Sequence, residues 1–308
     1  MKILQLSSVD PETVAVLRRQ HDVLAAVGAS EEELLALIGD REIVILRSGV
    51  AITRSVLQRA PALRMIIRAG SGLDNIDVSA AREHEVAVHH IPGPAAQAVA
   101  ELTIGLMLAL VRQIVPLDRQ MREGHWPKHR AQGHLLAGST LGILGAGNIG
   151  RRVGQIATGI GMNVLGVVDE DDHHAAASLA DAGLPSVTLT DAIASSDVLS
   201  VHVPLTPRTR GLIDDDLLSE TRAGAYLVNM SRGGVVDEQA LRRALTAPDG
   251  LSGAALDVHD VEAEGRLSPL ADLDNVVLTP HIGSSTIETQ RQIGARILEL
   301  VDALSGTH

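Results

Sequence analysis

Thr140-Leu-Gly-Ile-Leu-Gly-Ala-Gly-Asn-Ile-Gly150 reads as a strand running straight into a Gly145-x-Gly147-x-x-Gly150 turn, with a helix expected from near Arg151. A second apolar run, Asn163-Val-Leu-Gly-Val-Val168, ends on Asp169, nineteen positions after Gly150. A glycine triplet alone is weak evidence. With a strand before it, a helix after it and an acid at this distance, it is a dinucleotide-binding fingerprint. Gly145 permits the tight turn, Gly147 lets backbone approach a pyrophosphate, and Gly150 lets helix and strand pack closely. The pyrophosphate then meets the free N–H groups and positive dipole end of the helix. A glycine-rich turn in some other α/β protein is the weaker reading.

Asp169 is placed to accept hydrogen bonds from an adenosine ribose. Glu170, Asp171 and Asp172 follow it, and no Arg or Lys is near in sequence to pair with a 2′-phosphate. Carboxylates around that ribose repel NADP and leave NAD unharmed, so NAD is the expected cofactor. His173-His174 gives the stretch a metal-site look, but ligands crowded on one short loop rarely converge on one point, and no metal is expected.

Composition narrows the class. At 308 residues the chain suits two domains, each able to bury a core. The 26 basic and 38 acidic residues give −12, which argues against nucleic acid or anionic membrane as partners. Without Cys there are no disulfides, zinc–thiolate sites or thiol catalysis. Met1-Lys-Ile-Leu-Gln-Leu reads as a first strand rather than a signal peptide, so a cytoplasmic location is the default expectation. Trp126 and Tyr226 are the only aromatics, which leaves Leu, Ile, Val and Ala to fill the cores.

The outer part of the chain alternates short apolar runs with helical patterns. Strands are expected at Ile3–Leu6, Ile43–Leu46, Met65–Ile67 and Val86–His89, and helices at Pro11–Gln20, Glu31–Leu37 and Thr53–Ala60. Ala98–Val115 is expected as one long apolar helix, too short for a membrane span and interrupted by Glu101, Arg112 and Gln113. Past Gly150 further strands are expected at Asp197–Val203, Ala225–Asn229, Gly253–Asp257 and Asn275–Leu278. A last helix is expected to open with a capping box, Ser285-x-x-Glu288, and to run toward Leu304. The fold class is α/β: two Rossmann-like, doubly wound parallel-sheet domains with an interdomain active-site cleft. Residues 1–97 and 284–308 are expected to form a flavodoxin-like substrate domain, and 98–283 the nucleotide domain.

In a doubly wound sheet, ligands bind beyond the carboxyl ends of the strands. The segments there are Val203-Pro-Leu-Thr-Pro, Asn229-Met-Ser-Arg-Gly-Gly234, Asp257-Val-His-Asp-Val-Glu262 and Thr279-Pro-His-Ile-Gly283. Arg232, Glu262 and His281 stand on three of them. Each alone is more simply a surface charge or a satisfied histidine. Together, beside a nucleotide fold, they suit hydride transfer, which needs a base for the alcohol proton, a cation for a carboxylate and a group that orients the base.

The run from Leu46-Arg-Ser through Arg68-Ala-Gly-Ser-Gly-Leu-Asp-Asn-Ile-Asp77 to Thr279-Pro-His-Ile-Gly283 resembles the D-isomer-specific 2-hydroxyacid dehydrogenases over essentially the whole chain. Arg112-Gln-Ile, Met121-Arg-Glu-Gly-His-Trp126, Leu141–Arg151 and Ser231-Arg-Gly-Gly-Val-Val-Asp237 are most similar to members that oxidise D-3-phosphoglycerate at the entry to serine synthesis. The resemblance implies that His281 is the acid–base, Glu262 its partner and Arg232 the carboxylate-binding cation. It implies a cofactor site of Gly145, Gly147, Asn148, Ile149, Gly150, Asp169, His202, Val203, Pro204, Thr209, Met230, Ser231, Arg232, Asp257, His281 and Gly283, with Asp257 and the Met230–Ser231 backbone at the carboxamide. Ser71 and Gly72 offer N–H groups to the substrate carboxylate, and Arg47 and Arg68 bind its phosphate. Lys128-His129-Arg130 form a further basic loop.

Three positions depart from the family pattern: Ala95 replaces a polar residue, Ala263 a proline and His259 a phenylalanine. Ala95 keeps a glyoxylate or hydroxypyruvate reductase in view. His259 is close enough to Glu262 in sequence to compete for it. An NAD-sensing binding protein is a remote alternative. The chain ends soon after the last helix, so the C-terminal regulatory extension of many relatives is not expected. A homodimer built on the apolar Ala98–Val115 helix is expected.

Overall fold

A computed structural model describes residues 1–169 and 173–306. The acidic run 170–172 and the side chains of His173 and His174 lie outside the described residues. The chain divides into two compact units, residues 1–95 with 284–308, and residues 96–283. The first break falls two residues before the expected 97/98.

The first unit is built from β1 (Lys2–Gln5), α1 (Pro11–Gln20), β2 (Asp22–Ala25), α2 (Glu31–Leu37), β3 (Ile43–Leu46), α3 (Arg54–Gln58), β4 (Met65–Arg68), α4 (Val78–Glu83) and β5 (Ala87–His90). Its parallel sheet has the order β2-β1-β3-β4-β5, the flavodoxin-like winding. β3 and β4 are buried at every residue, as continuous apolar runs covered on both faces should be. β2, not expected from the sequence, is an edge strand whose ends are exposed, so no buried face marks Asp22-Val-Leu-Ala. Local signals set the helix starts. Asp10 caps α1 through Thr13 N–H at 2.9 Å, with Pro11 in its first turn, and Ser30 and Glu33 close a reciprocal capping box on α2.

The second unit holds α5 (Ala95–Val111, its first residue in the other unit), α6 (Ile114–Arg122), β6 (Thr140–Leu144), α7 (Asn148–Gly159), β7 (Asn163–Val167), α8 (His173–Asp181), α9 (Leu189–Ser195), β8 (Val198–Val201), α10 (Asp215–Ser219), β9 (Tyr226–Asn229), α11 (Glu238–Thr246), β10 (Gly253–Leu256) and β11 (Val276–Leu278). Its parallel sheet has the order β11-β10-β9-β8-β6-β7. Beyond β7, where a Rossmann sheet carries its third strand, one bridge pairs Gly166 with Ser186. Two apolar layers cover the sheet: Leu141, Ile143 and Val228 pack with α5, and Leu144, Val201 and Leu227 pack with Ile193 and Leu241 on the other side.

The expected single helix over 98–115 is two. α5 stops at Val111, Gln113 takes a left-handed φ of 54°, and α6 leaves at 64°. The Val111 carbonyl accepts the His134 N–H at 2.9 Å, and Gly133 lies so close that a Cβ would sit 2.5 Å from the same oxygen. The helix therefore loses its next hydrogen bond to an incoming strand of loop. No single helix among the described residues is long and apolar enough to cross a membrane, and α5 is largely buried in its own unit.

α12 (Ile287–Ser305) packs Ile293, Ile297 and Val301 on Ile3, Leu17 and Ile45 of the first unit. It crosses α1 so closely that a Cβ on Gly294 would lie 2.0 Å from Thr13 Oγ1. Its cap is Thr286, which accepts the Thr289 N–H at 3.1 Å, and not Ser285 as expected. The helix starts one residue later than the Ser285-x-x-Glu288 spacing suggests.

Candidate active site

Three glycines shape the turn after β6 in three different ways. Gly145 has φ +92°, and a Cβ there would lie 2.7 Å from the Val203 nitrogen. A Cβ on Gly150 would lie 2.5 Å from the Gly145 carbonyl oxygen. Gly147 instead faces open space, with no heavy atom within 4 Å of where its Cβ would stand. It is the N-cap of α7, and no side chain caps the helix. The first-turn N–H groups and the positive dipole end thus face an open volume, which fits a diphosphate. α7 starts at Asn148 rather than near Arg151, so Asn148, Ile149 and Gly150 form its first turn, and the last glycine is already helical.

Asp169 stands two residues past β7. The expectation that no cation lies near it is corrected by the fold. Arg208, from the loop after β8, places Nη1 3.5 Å from the Asp169 carboxylate. Sequence distance hid this contact. Both side chains are mostly exposed, so the pair is worth under about 1 kcal/mol. On the same loop Thr209 Oγ–H donates to the Pro204 carbonyl at 2.5 Å and accepts the Thr206 N–H at 2.8 Å, which fixes the Val203–Thr209 turn. His202 Nε2 pairs with buried Ser200 Oγ at 2.7 Å, while Nδ1 is enclosed without a partner. Burial pushes this imidazole down to about 3, so it is neutral.

β10 leads into Asp257, which is buried. Its carboxylate accepts Thr279 Oγ–H at 2.6 Å and the N–H groups of Ile282 and Gly283, each at 2.8 Å. Asp257 was expected at a carboxamide; the fold adds a role the sequence did not reveal, as organiser of the 279–283 loop. In that loop His281 has φ +53°, unusual for a side-chain-bearing residue, and donates its N–H to the Thr279 carbonyl at 3.1 Å.

The fold brings Glu262 and His281 together. His281 Nδ1 lies 2.8 Å from Oε2 and 3.0 Å from Oε1 of Glu262. An ionised carboxylate only accepts, so Nδ1 carries the hydrogen and Nε2 is left bare as a base. Burial pushes the Glu262 carboxyl up. The bond from His281 and the backbone N–H of His259 at 3.3 Å outweigh that and hold it below the usual range. Glu262 is therefore charged at neutral pH. His259 does not compete for it through its ring, whose Nε2–H donates to the Thr279 carbonyl at 3.0 Å.

Arg232 follows β9 on a turn made by buried Asn229, whose Oδ1 accepts Ser231 N–H at 3.1 Å and Oγ–H at 2.6 Å. Arg232 Nη1 donates to the Ser231 carbonyl at 2.8 Å. The next residue must be glycine, since a Cβ on Gly233 would lie 1.9 Å from the His259 carbonyl oxygen. Gly234 N–H donates to Asp260 at 2.7 Å, and Asp260 N–H donates to buried Glu238 at 2.9 Å. The Arg232 turn and the Glu262 turn are thereby held as one body. Sequence reasoning passed over Glu238 and Asp260, because no local pattern separates a buried acid from a solvated one.

In the first unit Arg47 follows β3 and Arg68 ends β4, with Leu46 and Arg68 in register. The buried Arg68 curls over Gly70, where a Cβ would lie 2.1 Å from Nη1. Arg47 Nη2 donates to Ser284 Oγ at 3.0 Å, and burial lowers its guanidinium from the ordinary value. Among the described residues no carboxylate lies within ion-pair distance of it. Ser71 and Gly72 are half-buried.

Residues 104–283 match the model of the D-isomer specific 2-hydroxyacid dehydrogenase, NAD binding domain. The chain belongs to that family. Its members are NAD-dependent oxidoreductases, and the matched NAD binding domain contains the turn at Gly145–Gly150. Among the relatives of this dehydrogenase family is the D-3-phosphoglycerate dehydrogenase of Methanocaldococcus jannaschii, 38% identical over 98% of this chain and 57% of that protein. The chain thus spans a little over half the length of that relative. The hydroxypyruvate reductase of Thermotoga maritima is 36% identical over 95% of this chain and 94% of its own. Among solved structures, D-lactate dehydrogenase from Aquifex aeolicus, complexed with NAD and lactic acid, is 27% identical with a TM-score of 0.85, covering 99% of this chain and 96% of that one.

Proposed function

We propose that this dehydrogenase oxidises D-3-phosphoglycerate to 3-phosphohydroxypyruvate, at the entry to serine synthesis. The observation that carries the reaction is the Glu262–His281 pair, with Nε2 left free to take a proton. Bound NAD supplies the hydride acceptor. His281 Nε2 takes the C2 hydroxyl proton, and Glu262 stabilises the imidazolium that forms. Arg232 binds the substrate carboxylate as a fork, with N–H groups of Ser71 and Gly72 as further donors. Asp257 and the Met230–Ser231 backbone would hold the amide of the nicotinamide, and Asp169 would hold the ribose hydroxyls.

Substrate choice rests on Arg47 and Arg68 at neighbouring strand ends. Arg47 is a half-buried cation with a hydroxyl as its side-chain partner, and a phosphate would complete it. The rival reading, reduction of hydroxypyruvate or glyoxylate, is favoured by the Thermotoga relative, 36% identical over 95% of this chain. Steady-state kinetics with 3-phosphoglycerate, glycerate and lactate with NAD, and with hydroxypyruvate and glyoxylate with NADH, separates them. We expect the highest kcat/KM with 3-phosphoglycerate, and Arg47→Ala to raise its KM roughly ten- to hundredfold, the loss of about one charged hydrogen bond or two. A preference for unphosphorylated acids, untouched by Arg47→Ala, favours the reductase. Turnover of none of them favours an NAD-sensing protein.

The protein is proposed to act as a homodimer. Ile114, Val115 and Met121 on α6 are each about half exposed, and Trp126 and Leu135 are 72% and 78% exposed. Sedimentation at micromolar concentration should give twice the chain mass, and a monomer there would count against the proposal.

A further inference from the structure

The loop that carries His281 is held by more than its glutamate. The Thr279 carbonyl accepts two donors, the His281 N–H at 3.1 Å and the His259 Nε2–H at 3.0 Å. The first of these bonds closes the turn in which His281 adopts its left-handed φ of +53°. Such a conformation is strained and persists only where its surroundings over-determine it. His259 also lends its backbone N–H to Glu262 Oε1, at 3.3 Å. One residue thus touches both halves of the acid–base pair, the carboxylate directly and the histidine through a carbonyl.

The ring shows why an imidazole stands there. His259 Nδ1 is enclosed and has no hydrogen-bond partner. A buried polar atom left unpaired is a cost, and an apolar ring would fill the space without it. What an apolar ring could not supply is the Nε2–H donor. Among the described residues no hydrogen bond joins His259 to the His281 ring. Its backbone, moreover, is fixed from behind by the contact with Gly233 and by Asp260 bonded to Gly234 and Glu238. It is a rigid post from which the ring can hold the Thr279 carbonyl.

We infer that His259 is a positioning residue for the proton-transfer pair: its Nε2–H pins the Thr279 carbonyl and so fixes the His281 backbone that aims the imidazole. The inference rests on the reading of His281 as the acid–base. It predicts that the donor, and not the ring volume, is what matters.

The test compares His259→Phe, which keeps a ring and loses the donor, with His259→Gln, whose side-chain amide can place a donor near Nε2. In the reduction of whichever of 3-phosphohydroxypyruvate or hydroxypyruvate the wild type turns over faster, His259→Phe should lower kcat about tenfold and leave the KM for NADH unchanged. A displacement well below 1 Å suffices for a loss of that order. His259→Gln should stay within about threefold of wild type. A second arm needs no substrate: in histidine-labelled 15N spectra, the Nδ1 proton of His281, assigned by its loss in His281→Ala, should exchange faster in the Phe variant and recover protection in the Gln variant. The inference is overturned if Phe leaves both kcat and that proton unchanged, or if Gln is as damaged as Phe in both. Retention of kcat by His281→Ala would instead overturn the acid–base reading, and the proton-exchange arm would still decide whether His259 holds the loop.

Discussion

Two loop systems of the second unit lie beyond the carboxyl ends of the same sheet and are built on opposite terms. The turn at Gly145–Gly150 is made of backbone and empty space: Gly147 meets nothing within 4 Å, and no side chain caps the helix that follows. Around residues 257–283 carboxylates claim backbone N–H groups in turn. Asp257 takes those of Ile282 and Gly283, Glu262 that of His259, and Glu238 that of Asp260. Donors left open make a seat for an anion that arrives from outside. Donors already satisfied make a frame that cannot shift, which suits a group that must hold one proton in one place. The same winding supplies both, and only the polar residues at the strand ends decide which is which.

The comparison breaks first at His281. His281→Ala removes the acid–base that this frame is proposed to hold, so kcat should fall by ~10²–10⁴-fold while affinity for NAD, whose diphosphate is proposed to sit at the other loop, stays nearly intact. NAD titration by fluorescence beside steady-state rates checks both halves. A variant that lost NAD binding together with kcat would mean that the two loops are one system. Glu262→Gln should cost less, since the shape survives and only the charge goes.

A smaller effect tests the boundary between them, where His202 packs its backbone against Gly145. Its imidazole is held to about 3 by burial, against about 6.5 unfolded. As pH falls below 6.5 the unfolded chain takes up a proton that the folded protein refuses, so stability is lost from 6.5 downward until the folded group itself titrates near 3. Between pH 6.5 and pH 5 that loss comes to about 1–2 kcal/mol. Urea unfolding at pH 7 and pH 5 should show that difference shrinking in His202→Asn. An unchanged pH difference would place the titration elsewhere.

The smallest expected effect is on cofactor choice. NAD should be preferred to NADP by at least about tenfold, or about 1.4 kcal/mol, with Asp169→Ala relaxing it. Because Arg208 lies beside Asp169, removal of the carboxylate also frees a cation for a 2′-phosphate. Asp169→Ala combined with Arg208→Ala should therefore gain less NADP activity than Asp169→Ala alone. Equal kcat/KM for the two cofactors in the wild type would defeat the assignment.

What could be read from the chain follows the range of the interactions involved. The Gly145–Gly150 turn and its distance to Asp169 are local geometry, and strands buried on both faces, such as β3, announce themselves as unbroken apolar runs. Edge strand β2 buries too little to leave a pattern. The break at Gln113 depends on Gly133 and His134, twenty residues on, arriving at Val111. Arg208 reaches Asp169 because β7 and β8 flank β6 as parallel strands and so end on the same edge of the sheet. The role of Asp257 in holding its neighbouring loop was hidden, because nothing in the sequence says that three donors of the 279–283 loop converge on it. Glu262 and His281 were legible as a pair through their motifs, but not the tautomer, which needs the 2.8 Å approach of Nδ1 to Glu262.

The single bridge beyond β7 has a consequence for how the unit opens. Outward of Gly166, which is tied to Pro185 and Val187, the strand has no continuous neighbour among the described residues, so its ladder toward β6 is the last one there. Amide exchange along Asn163–Val167 should proceed by fraying of that edge, at a lower free energy than exchange from β8 or β9 inside the sheet. Asp169 stands just past the tip of this strand. A cofactor gripped there closes the edge by mass action, adding RT ln(1 + [L]/Kd) to its opening energy. The slowest-exchanging strands, which open only when the whole unit unfolds, should gain the same increment on top of a higher opening energy.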